Sequence, residues 1–189
     1  MFLEVYMDID EAFELLKDYT KSDSLIKHAL CVETAMACYA KKFNEDEGKW
    51  RITGLLHDFD YEKYPDKHPL KGAEILKGKG VEDDIINAIL AHANYTNVKR
   101  ETLLAKALFA VDELSGFLYA YALVRPTKNL QGIKLKSLKK KFKDKSFAGG
   151  VNRNDIINGA EELGIDLYDH MMFVAQCLQN NAENLGLNP

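Results

Sequence analysis

Four histidines and two aspartates, spread between residues 28 and 112, have the types and the spacing to build a metal site. Imidazole nitrogens and carboxylate oxygens are ligands that Fe, Mn, Co and Zn ions accept readily. Asp112 interrupts the most apolar stretch of the sequence, where a buried carboxylate is costly unless a cation or hydrogen bonds compensate its charge. The candidate ligands are His28, His57, Asp58, His68, His92 and Asp112.

Each of these residues also has an ordinary structural interpretation. A single histidine in a helix is more often a core or surface group than a ligand, and a His-Asp pair recurs by chance. Glu113, beside Asp112, is compatible with a solvent-facing position. The prediction therefore rests on the whole set, whose members lie on separate predicted helices or helix ends, as a site inside a helical bundle requires. The fifth histidine, His170, lies outside the pattern, and we predict a structural or exposed position for it.

Helical periodicity dominates the sequence and strand alternation is nearly absent, so the predicted fold class is all-α, a helical bundle. Asp23 or Ser24 can cap the second helix, and His68 is predicted as an N-cap with Pro69 as the first helical residue. The predicted helices cover about residues 8–18, 24–43, 49–57, 69–78, 82–94, 102–124, 153–163 and 166–183.

The character of the chain changes after Pro126, where a stretch with seven lysines and one aspartate covers residues 134–145. Leu135, Leu138 and Phe142 recur at helical spacing within it, which predicts an amphipathic helix docked through these three side chains. No linker composition separates the two parts. We therefore predict a single helical domain over residues 1–189, with a core of about 24–125 and a C-terminal helical extension of about 126–189.

The composition and net charge limit the kinds of partner that we expect. Hydrophobic residues make up 47% and charged residues 29%, as in ordinary globular proteins, and the net charge of -4 provides no general attraction to nucleic acid or anionic lipid. We accordingly expect no nucleic acid and no membrane as partners. The longest uncharged apolar stretch, Leu114 to Val124, is too short to cross a bilayer, and residues 1–16 lack the pattern of a signal peptide.

The cysteine pattern indicates a reducing compartment. Cys31, Cys38 and Cys177 form no CxxC pair, and Cys31 and Cys38 lie in an apolar helical stretch. We expect no disulfide framework and no cysteine metal site, which is typical of a soluble cytoplasmic protein.

Beyond single residues, the order of motifs resembles the HD domain superfamily of metal-dependent phosphohydrolases. His28, Leu55-Leu56-His57-Asp58 and Asp112 carry the resemblance. It extends through His68-Pro69-Leu70-Lys71-Gly72-Ala73, which is similar to the His-Pro-x-x-Gly-Ala element of two-metal members. It continues to Ile89-Leu90-Ala91-His92, the position of a further ligand, and covers roughly residues 24 to 125.

The resemblance implies an enzyme that hydrolyses a phosphate ester with metal-activated water. His28, His57, Asp58 and Asp112 would ligate one divalent transition metal ion, either Fe, Mn, Co or Zn. Asp58 would also act in catalysis and bridge to a second ion held by His68 and His92, so that one or two ions are expected. The implied substrate is a small phosphorylated molecule such as a nucleotide. A homodimer is an assembly that the sequence allows.

Some features distinguish this chain from particular members of the superfamily. Where cyclic dinucleotide phosphodiesterases carry His-His, this chain has His92-Ala93, and it lacks their downstream Gly-Tyr-Pro element. The chain is similar to small stand-alone HD hydrolases, including those that split diadenosine tetraphosphate symmetrically. The block at residues 123–126 and the lysine-rich run are similar instead to predicted HD hydrolases without a settled substrate, and the sequence does not choose between these groups.

Phosphoryl transfer also needs positive groups that hold the substrate. Lys63 and Lys67, between the His57-Asp58 pair and His68, and Arg125, at the end of the Asp112 helix, are the candidates, although exposed lysines are usually only solvated. Asp60 and Glu62 are candidates for supporting the ligands or carrying protons, with plain loop polarity as the alternative. The lysine run could likewise be a lid over a polyanionic substrate or a solvated helix face.

Two functional hypotheses remain open at this stage. The first is a metal-dependent phosphohydrolase, either a phosphomonoesterase or a phosphodiesterase. The second is a non-catalytic module of the same fold that binds a phosphate or nucleotide as a sensor or regulator. The presence of all four residues His28, His57, Asp58 and Asp112 favours the enzyme, because a module without activity has no need of the complete set.

Overall fold

The computed structural model describes residues 7–187; residues 1–6, part of the stretch considered above for a signal peptide, and residues 188–189 lie outside it. Within residues 7–187 the chain forms helices and no β-strand, which confirms the predicted all-α fold. In chain order the α-helices are α1 (Ile9–Tyr19), α2 (Asp23–Phe43), α3 (Glu47–Leu56), α4 (Leu70–Gly78), α5 (Asp83–His92), α6 (Leu103–Val124), α7 (Leu135–Lys143), α8 (Arg153–Leu163), α9 (Leu167–Asn180) and α10 (Ala182–Leu185).

Most helix ends follow the sequence signals, and several differ from the prediction. The helix α2 begins at Asp23, with Ser22 rather than Asp23 or Ser24 at the N-cap position. The helix α3 begins at Glu47, two residues early, because the Asp46 side chain caps it. The helix α4 begins one residue late, with Pro69 rather than His68 at the N-cap position. The helix α5 ends at His92, because Ala93 is extended and a 3-10 turn follows over Asn94–Thr96. The last predicted helix is divided at Asn181 into α9 and α10.

The centre of the fold is α6, which packs against α2, α5, α8 and α9. Its residues are apolar on nearly every side, as expected of a helix surrounded by other helices. The helices α2 and α3 pack closely against each other, since a Cβ atom on Gly54 would lie only 3.0 Å from the Cα atom of Glu33. This contact brings the C-terminal end of α3 against the middle of α2, which is where the candidate ligands His28 and His57 lie.

By length and composition alone, α6 could also cross a membrane. The prediction from the sequence did not anticipate this, because it considered only the uncharged stretch from Leu114 to Val124. The helix is longer than that stretch because it continues through Asp112 and Glu113. In its most apolar window 61% of the residues are buried inside the protein. Packing within the bundle therefore accounts for its apolar character.

The C-terminal extension packs on α6 through α8, and on α2 and α6 through α9. At the closest approach a Cβ atom on Gly159 would lie 2.6 Å from the Cα atom of Ala110, so a larger residue there would push α8 away from α6. The helix α7 docks through the buried side chains of Leu138 and Phe142. Leu135, predicted to dock with them, is instead 37% exposed, because it lies at the first residue of the helix.

One cysteine expectation is wrong. Cys38 on α2 and Cys177 on α9 are joined by a disulfide, with their Cα atoms 6.3 Å apart. Cys31 is buried and free, as expected. The pairing could not be inferred from sequence, because the two cysteines are separated by 139 positions and meet only through the docking of α9 on α2.

His170 on α9 is structural and fully buried, which decides between the two positions predicted for it. Its Nε2–H donates to the carbonyl oxygen of Ala110 over 2.8 Å, so its Nδ1 carries no proton and accepts from the Tyr39 hydroxyl over 2.6 Å. Both bonds suit the neutral ring. Burial lowers the pKa of His170 to about 4.

We predict that His170 makes the protein less stable as the pH falls below neutrality. Between pH 6.5 and about 4 the unfolded chain gains a proton at His170 whereas the folded chain does not, so the free energy of unfolding decreases. Replacing His170 with glutamine should lower stability at pH 7 but reduce the loss between pH 7 and pH 4.5 by about 2 kcal/mol. Urea unfolding of both proteins in the same metal state measures this difference, and equal pH dependence would contradict it.

Candidate metal centre

The first group of candidate ligands lies where α2, α3 and α6 meet. The Nε2 atom of His28 is 3.0 Å from Oδ1 of Asp112 and 3.2 Å from Nε2 of His57. The Nε2 atom of His57 is 3.4 Å from Oδ2 of Asp58 and 3.4 Å from Oδ1 of Asp112. All four residues predicted for one ion are thus brought to a single point by three helices and the turn after α3.

The second group lies on the other side of Asp58. The Nε2 atoms of His68 and His92 are 3.2 Å and 3.3 Å from Oδ1 of Asp58, and 3.4 Å from each other. Oδ1 of Asp58 therefore faces the second group whereas Oδ2 faces the first. A single carboxylate lies between two pairs of imidazoles, and each side of it could hold a metal ion.

Hydrogen bonds on the far side of the rings fix their orientation. The Nδ1–H groups of His57 and His92 donate to the carbonyl oxygens of Gly54 and Ile89, three residues earlier, over 2.8 Å and 2.5 Å. These carbonyls lie at the C-terminal ends of α3 and α5, where helices leave acceptors without partners. Because Nδ1 carries the proton in both rings, each Nε2 presents a lone pair to the centre of its group.

Asp60 holds His68 in the same way. Its Oδ1 accepts from Nδ1 of His68 over 2.7 Å, and its Oδ2 accepts from the backbone N–H of Gly72 over 2.6 Å. Asp60 is completely buried. A Cβ atom on Gly72 would lie 2.8 Å from the Cγ atom of Asp60, so only glycine leaves room for this carboxylate. The glycine of the His-Pro-x-x-Gly-Ala element thus has a physical role.

The donor set fits a transition metal ion at each group. Neighbouring donor atoms are separated by 3.0 to 3.4 Å, which is about the spacing of two ligands bound to one ion at about 2.0–2.2 Å. Lone pairs of neutral imidazoles that point at each other and at carboxylate oxygens are unfavourable unless a proton or a cation lies between them. The chemistry of the donors is that of Fe, Mn, Co or Zn sites.

The electrostatics of the cluster favour positive charge at the imidazoles. Burial alone would lower the pKa of His57, but the charges of Asp58 and Asp112 raise it well above its usual range. Burial would raise the pKa of Asp112, but His57 lowers it well below the usual value. At His68, burial is again outweighed, and Asp58 and Asp60 raise the pKa to about 9. A metal ion would therefore compete with protons for the same nitrogens.

The cluster is partly open to solvent. The side chains of His28, Asp58 and Asp112 are 18–24% exposed, whereas His57 is fully buried. A small molecule can thus approach the edge formed by His28, Asp58 and Asp112, whereas the rings of His57, His68 and His92 are buried. Glu113 is not the freely solvated group that its position suggested, because its carboxylate accepts from the backbone N–H of Asn152 over 3.1 Å.

Two of the three predicted cationic residues, Arg125 and Lys63, have contacts away from the candidate ligands. The guanidinium of Arg125 donates to the carbonyl oxygens of Asn129 and Gln131 over 2.5 Å and 2.9 Å, and so holds the loop after α6. Arg125 follows Asp112 by 13 positions (125 − 112), or about 20 Å along the helix axis. The ammonium of Lys63 lies over the ring of Tyr19, 4.5 Å from its centroid. Lys67 is exposed next to His68.

Two other sequence candidates have contacts away from the ligands. Glu62 accepts from the backbone N–H groups of Lys21 and Ser22, and therefore holds the two residues that precede α2. In α7 the ammonium of Lys139 lies 3.7 Å from the centroid of the Tyr168 ring, and that of Lys141 pairs with Asp144 over 3.1 Å. Substrate contact by this lysine run stays a prediction.

Sequence reasoning overlooked two aromatic residues beside the second group. The ring of Tyr61 packs edge-on against His68 with centroids 5.4 Å apart, and the hydroxyl of Tyr95 donates to the His68 carbonyl oxygen. Their closeness to the ligands in sequence, three residues after Asp58 and three after His92, was the available signal.

Comparison with known families agrees with this geometry. Residues 25–116, about half of the chain, match the family model of the HD domain. This segment includes all six candidate ligands. No solved structure matched the chain.

The similar proteins are named as ribonuclease Y or as a tRNA methyltransferase. The chain is 33% identical to ribonuclease Y of Oleidesulfovibrio alaskensis over 98 residues and 35% identical to that of Nitratidesulfovibrio vulgaris strain DP4 over 99 residues, each covering 50% of this chain and 18% of the relative. It is 30% identical to the tRNA (cytidine(56)-2'-O)-methyltransferase of Thermoplasma volcanium over 91 residues, 48% of this chain and 27% of the relative. None of these is a diadenosine tetraphosphate hydrolase, so that narrower resemblance gains no support.

We predict that replacing Gly72 with alanine impairs the second group selectively. The added methyl would displace the Asp60 carboxylate and release His68, and loss of such supporting bonds typically weakens metal binding by about 10- to 100-fold. Protein incubated with Mn, Fe, Co or Zn salts should then carry about one ion per chain fewer than wild type. Elemental analysis measures this.

The matched control is Gly78→Ala at the other end of α4, where a Cβ atom would meet nothing within 4 Å. It should bind metal as the wild type does. Equal metal content in the Gly72 and Gly78 variants would show that the contact between Gly72 and Asp60 does not support metal binding.

Proposed function

We propose that this protein is an HD-domain, metal-dependent phosphohydrolase that acts on a nucleotide or another small phosphate ester. The observation that carries the proposal is the position of Asp58, whose two carboxylate oxygens face separate histidine groups. Two cations held a few ångströms apart suit the attacking and the leaving oxygen of a phosphoryl displacement.

In this proposal the ligands of one ion are His28, His57, Asp58 and Asp112, and those of the other are Asp58, His68 and His92. When bound, the ions would polarise the phosphoryl group and lower the pKa of water. The protein's own contribution is orientation, because the bonds from His57, His68 and His92 to their supporting acceptors fix the rings before any substrate arrives.

The metal ions would provide most of the positive charge that meets the substrate. The net charge of the chain is -4, Arg125 is engaged by loop carbonyls, and Lys63 lies over an aromatic ring. Lys67, exposed beside His68, is the cation that we retain as a substrate contact. This arrangement suits a small, highly charged substrate that enters at the exposed carboxylate edge.

The competing function is a non-catalytic sensor that binds a nucleotide or phosphate without hydrolysis. Both functions predict binding, and only the enzyme predicts release of phosphate or of a shorter nucleotide. A panel of nucleotides and sugar phosphates tested with metal-loaded protein distinguishes them. Because two relatives are named as ribonucleases and one as a tRNA methyltransferase, the panel should include a short RNA, although we expect the small substrates to react.

We predict that Asp58→Ala abolishes hydrolysis while the fold survives. The change removes a shared ligand from both groups, so turnover should fall by at least about 10²-fold. Asp58 lies in the turn after α3, outside the helices, and its side chain is 24% exposed, so the circular dichroism spectrum should stay unchanged. Phosphate release and circular dichroism are measured on the same preparations.

Asp66→Ala is the matched control, since Asp66 is an exposed carboxylate in the same loop. It should keep wild-type turnover. Unchanged turnover in Asp58→Ala would refute the assignment.

A double replacement of His68 and His92 with alanine separates one-ion from two-ion function. If these residues hold an ion, the metal content should fall from about two to about one per chain, and activity should fall steeply although the first group is intact. If they only position the substrate phosphate, the metal content should stay constant while KM rises. Elemental analysis alongside steady-state kinetics distinguishes these results, and an unaltered metal count would exclude the second ion.

A further inference from the structure

Two large aromatic side chains stand exposed at the rim of the second histidine group. Tyr61 is 46% exposed and Tyr95 is 65% exposed. They come from different segments, since Tyr61 lies in the loop after α3 and Tyr95 in the 3-10 turn after α5. Both nevertheless contact the same ligand residue, His68.

The contacts hold the two side chains in place without covering their rings. Tyr95 is anchored at its hydroxyl, which donates to the His68 carbonyl oxygen, while its ring stays open to solvent. The turn that carries it is fixed by Thr96, whose hydroxyl donates to the carbonyl oxygen of Leu90 or Ala93 over 2.8 Å or 2.9 Å. The ring of Tyr61 stands almost perpendicular to that of His68, at 88°, so only an edge contact is made.

Both tyrosines lie beside one ligand residue of the centre. Each contacts His68, whose Nε2 atom is 3.2 Å from Oδ1 of Asp58. A ligand with its phosphate at the edge of Asp58 would therefore have the rest of its structure beside these rings. Fixed and exposed aromatic rings next to an anion-binding centre suit a ligand that combines a phosphate with a planar ring.

We propose that Tyr61 and Tyr95 form a stacking surface for the nucleobase of a nucleotide whose phosphate occupies the metal centre. This inference rests on the proposed function and narrows its substrate class from phosphate esters to nucleotides. Stacking on an aromatic side chain tolerates any base, because every base has a π-face. A sugar phosphate or inorganic phosphate would reach the centre but leave both rings unused.

The test measures binding, so that it does not depend on turnover. The probes are a non-hydrolysable phosphonate analogue of AMP and the matching analogue of ribose 5-phosphate, titrated calorimetrically into metal-loaded full-length protein. The wild type should bind the AMP analogue at least about tenfold more tightly. Tyr61→Leu should weaken binding of the AMP analogue by about 5- to 100-fold and change binding of the ribose analogue by less than about twofold.

Two further variants separate stacking from other effects of the replacement. Tyr61→Phe keeps the ring and should retain the affinity for the AMP analogue. Leu123→Ala, which alters an exposed apolar side chain at the far end of α6, should change neither affinity. Metal content is measured for each variant, because Tyr61 contacts His68.

Equal affinity of the wild type for the two analogues would overturn the stacking proposal, and so would a Tyr61→Leu variant that weakens both by the same factor. Neither result would affect the proposed hydrolase, which fails only if no phosphate ester in the panel is cleaved. Conversely, base-dependent binding without any hydrolysis would support the stacking surface in a protein that acts as a sensor.

Discussion

The two oxygens of Asp58 must face two different pairs of imidazoles, and this requirement governs much of the bundle. The carboxylate lies in the turn after α3, where His57 and His68 face its two oxygens, and α2, α5 and α6 bring the remaining candidate ligands from separate directions. His28, His92 and Asp112 are the side chains that these helices bring. A displacement of α2 or α5 by one turn would remove His28 or His92 from the centre, and a displacement of α6 would remove Asp112. The positions of the candidate ligands therefore depend directly on how the helices of the core pack.

Close backbone packing provides the precision that this arrangement needs. Gly54 lets α3 approach α2 until a Cβ atom would be 3.0 Å from the Cα atom of Glu33, and its carbonyl oxygen also accepts the bond that orients His57. Gly72 makes room for Asp60. Buried carboxylates and imidazoles are costly when they lack partners. Here His57, His68 and His92 each have a bond on the far side of the ring, which leaves Nε2 directed to the centre.

Much of this arrangement could be predicted from residue types and order. The candidate ligands were accessible because histidine and aspartate lie within predicted helices, or at their ends, at separated positions. Contacts between distant segments were not accessible. The disulfide between Cys38 and Cys177 and the placement of Arg125 on loop carbonyls depend on how the extension docks. Asp60 was recognised only as a candidate, because whether a loop carboxylate is buried depends on α4 closing over it.

The turn of α6 around Ala110 connects the candidate metal centre with the C-terminal extension. On one side the helix continues to Asp112, and on the other its backbone receives Gly159 of α8 and the imidazole of His170. The segment that matches the HD domain ends at residue 116, whereas these two supports belong to residues after it. In this chain the boundary of sequence similarity therefore passes through the interior of a packed unit. Residues 25–116 are therefore not an independent structural unit. The backbone of α6 next to the candidate ligand Asp112 is supported by Gly159 and His170, which lie outside the matched segment.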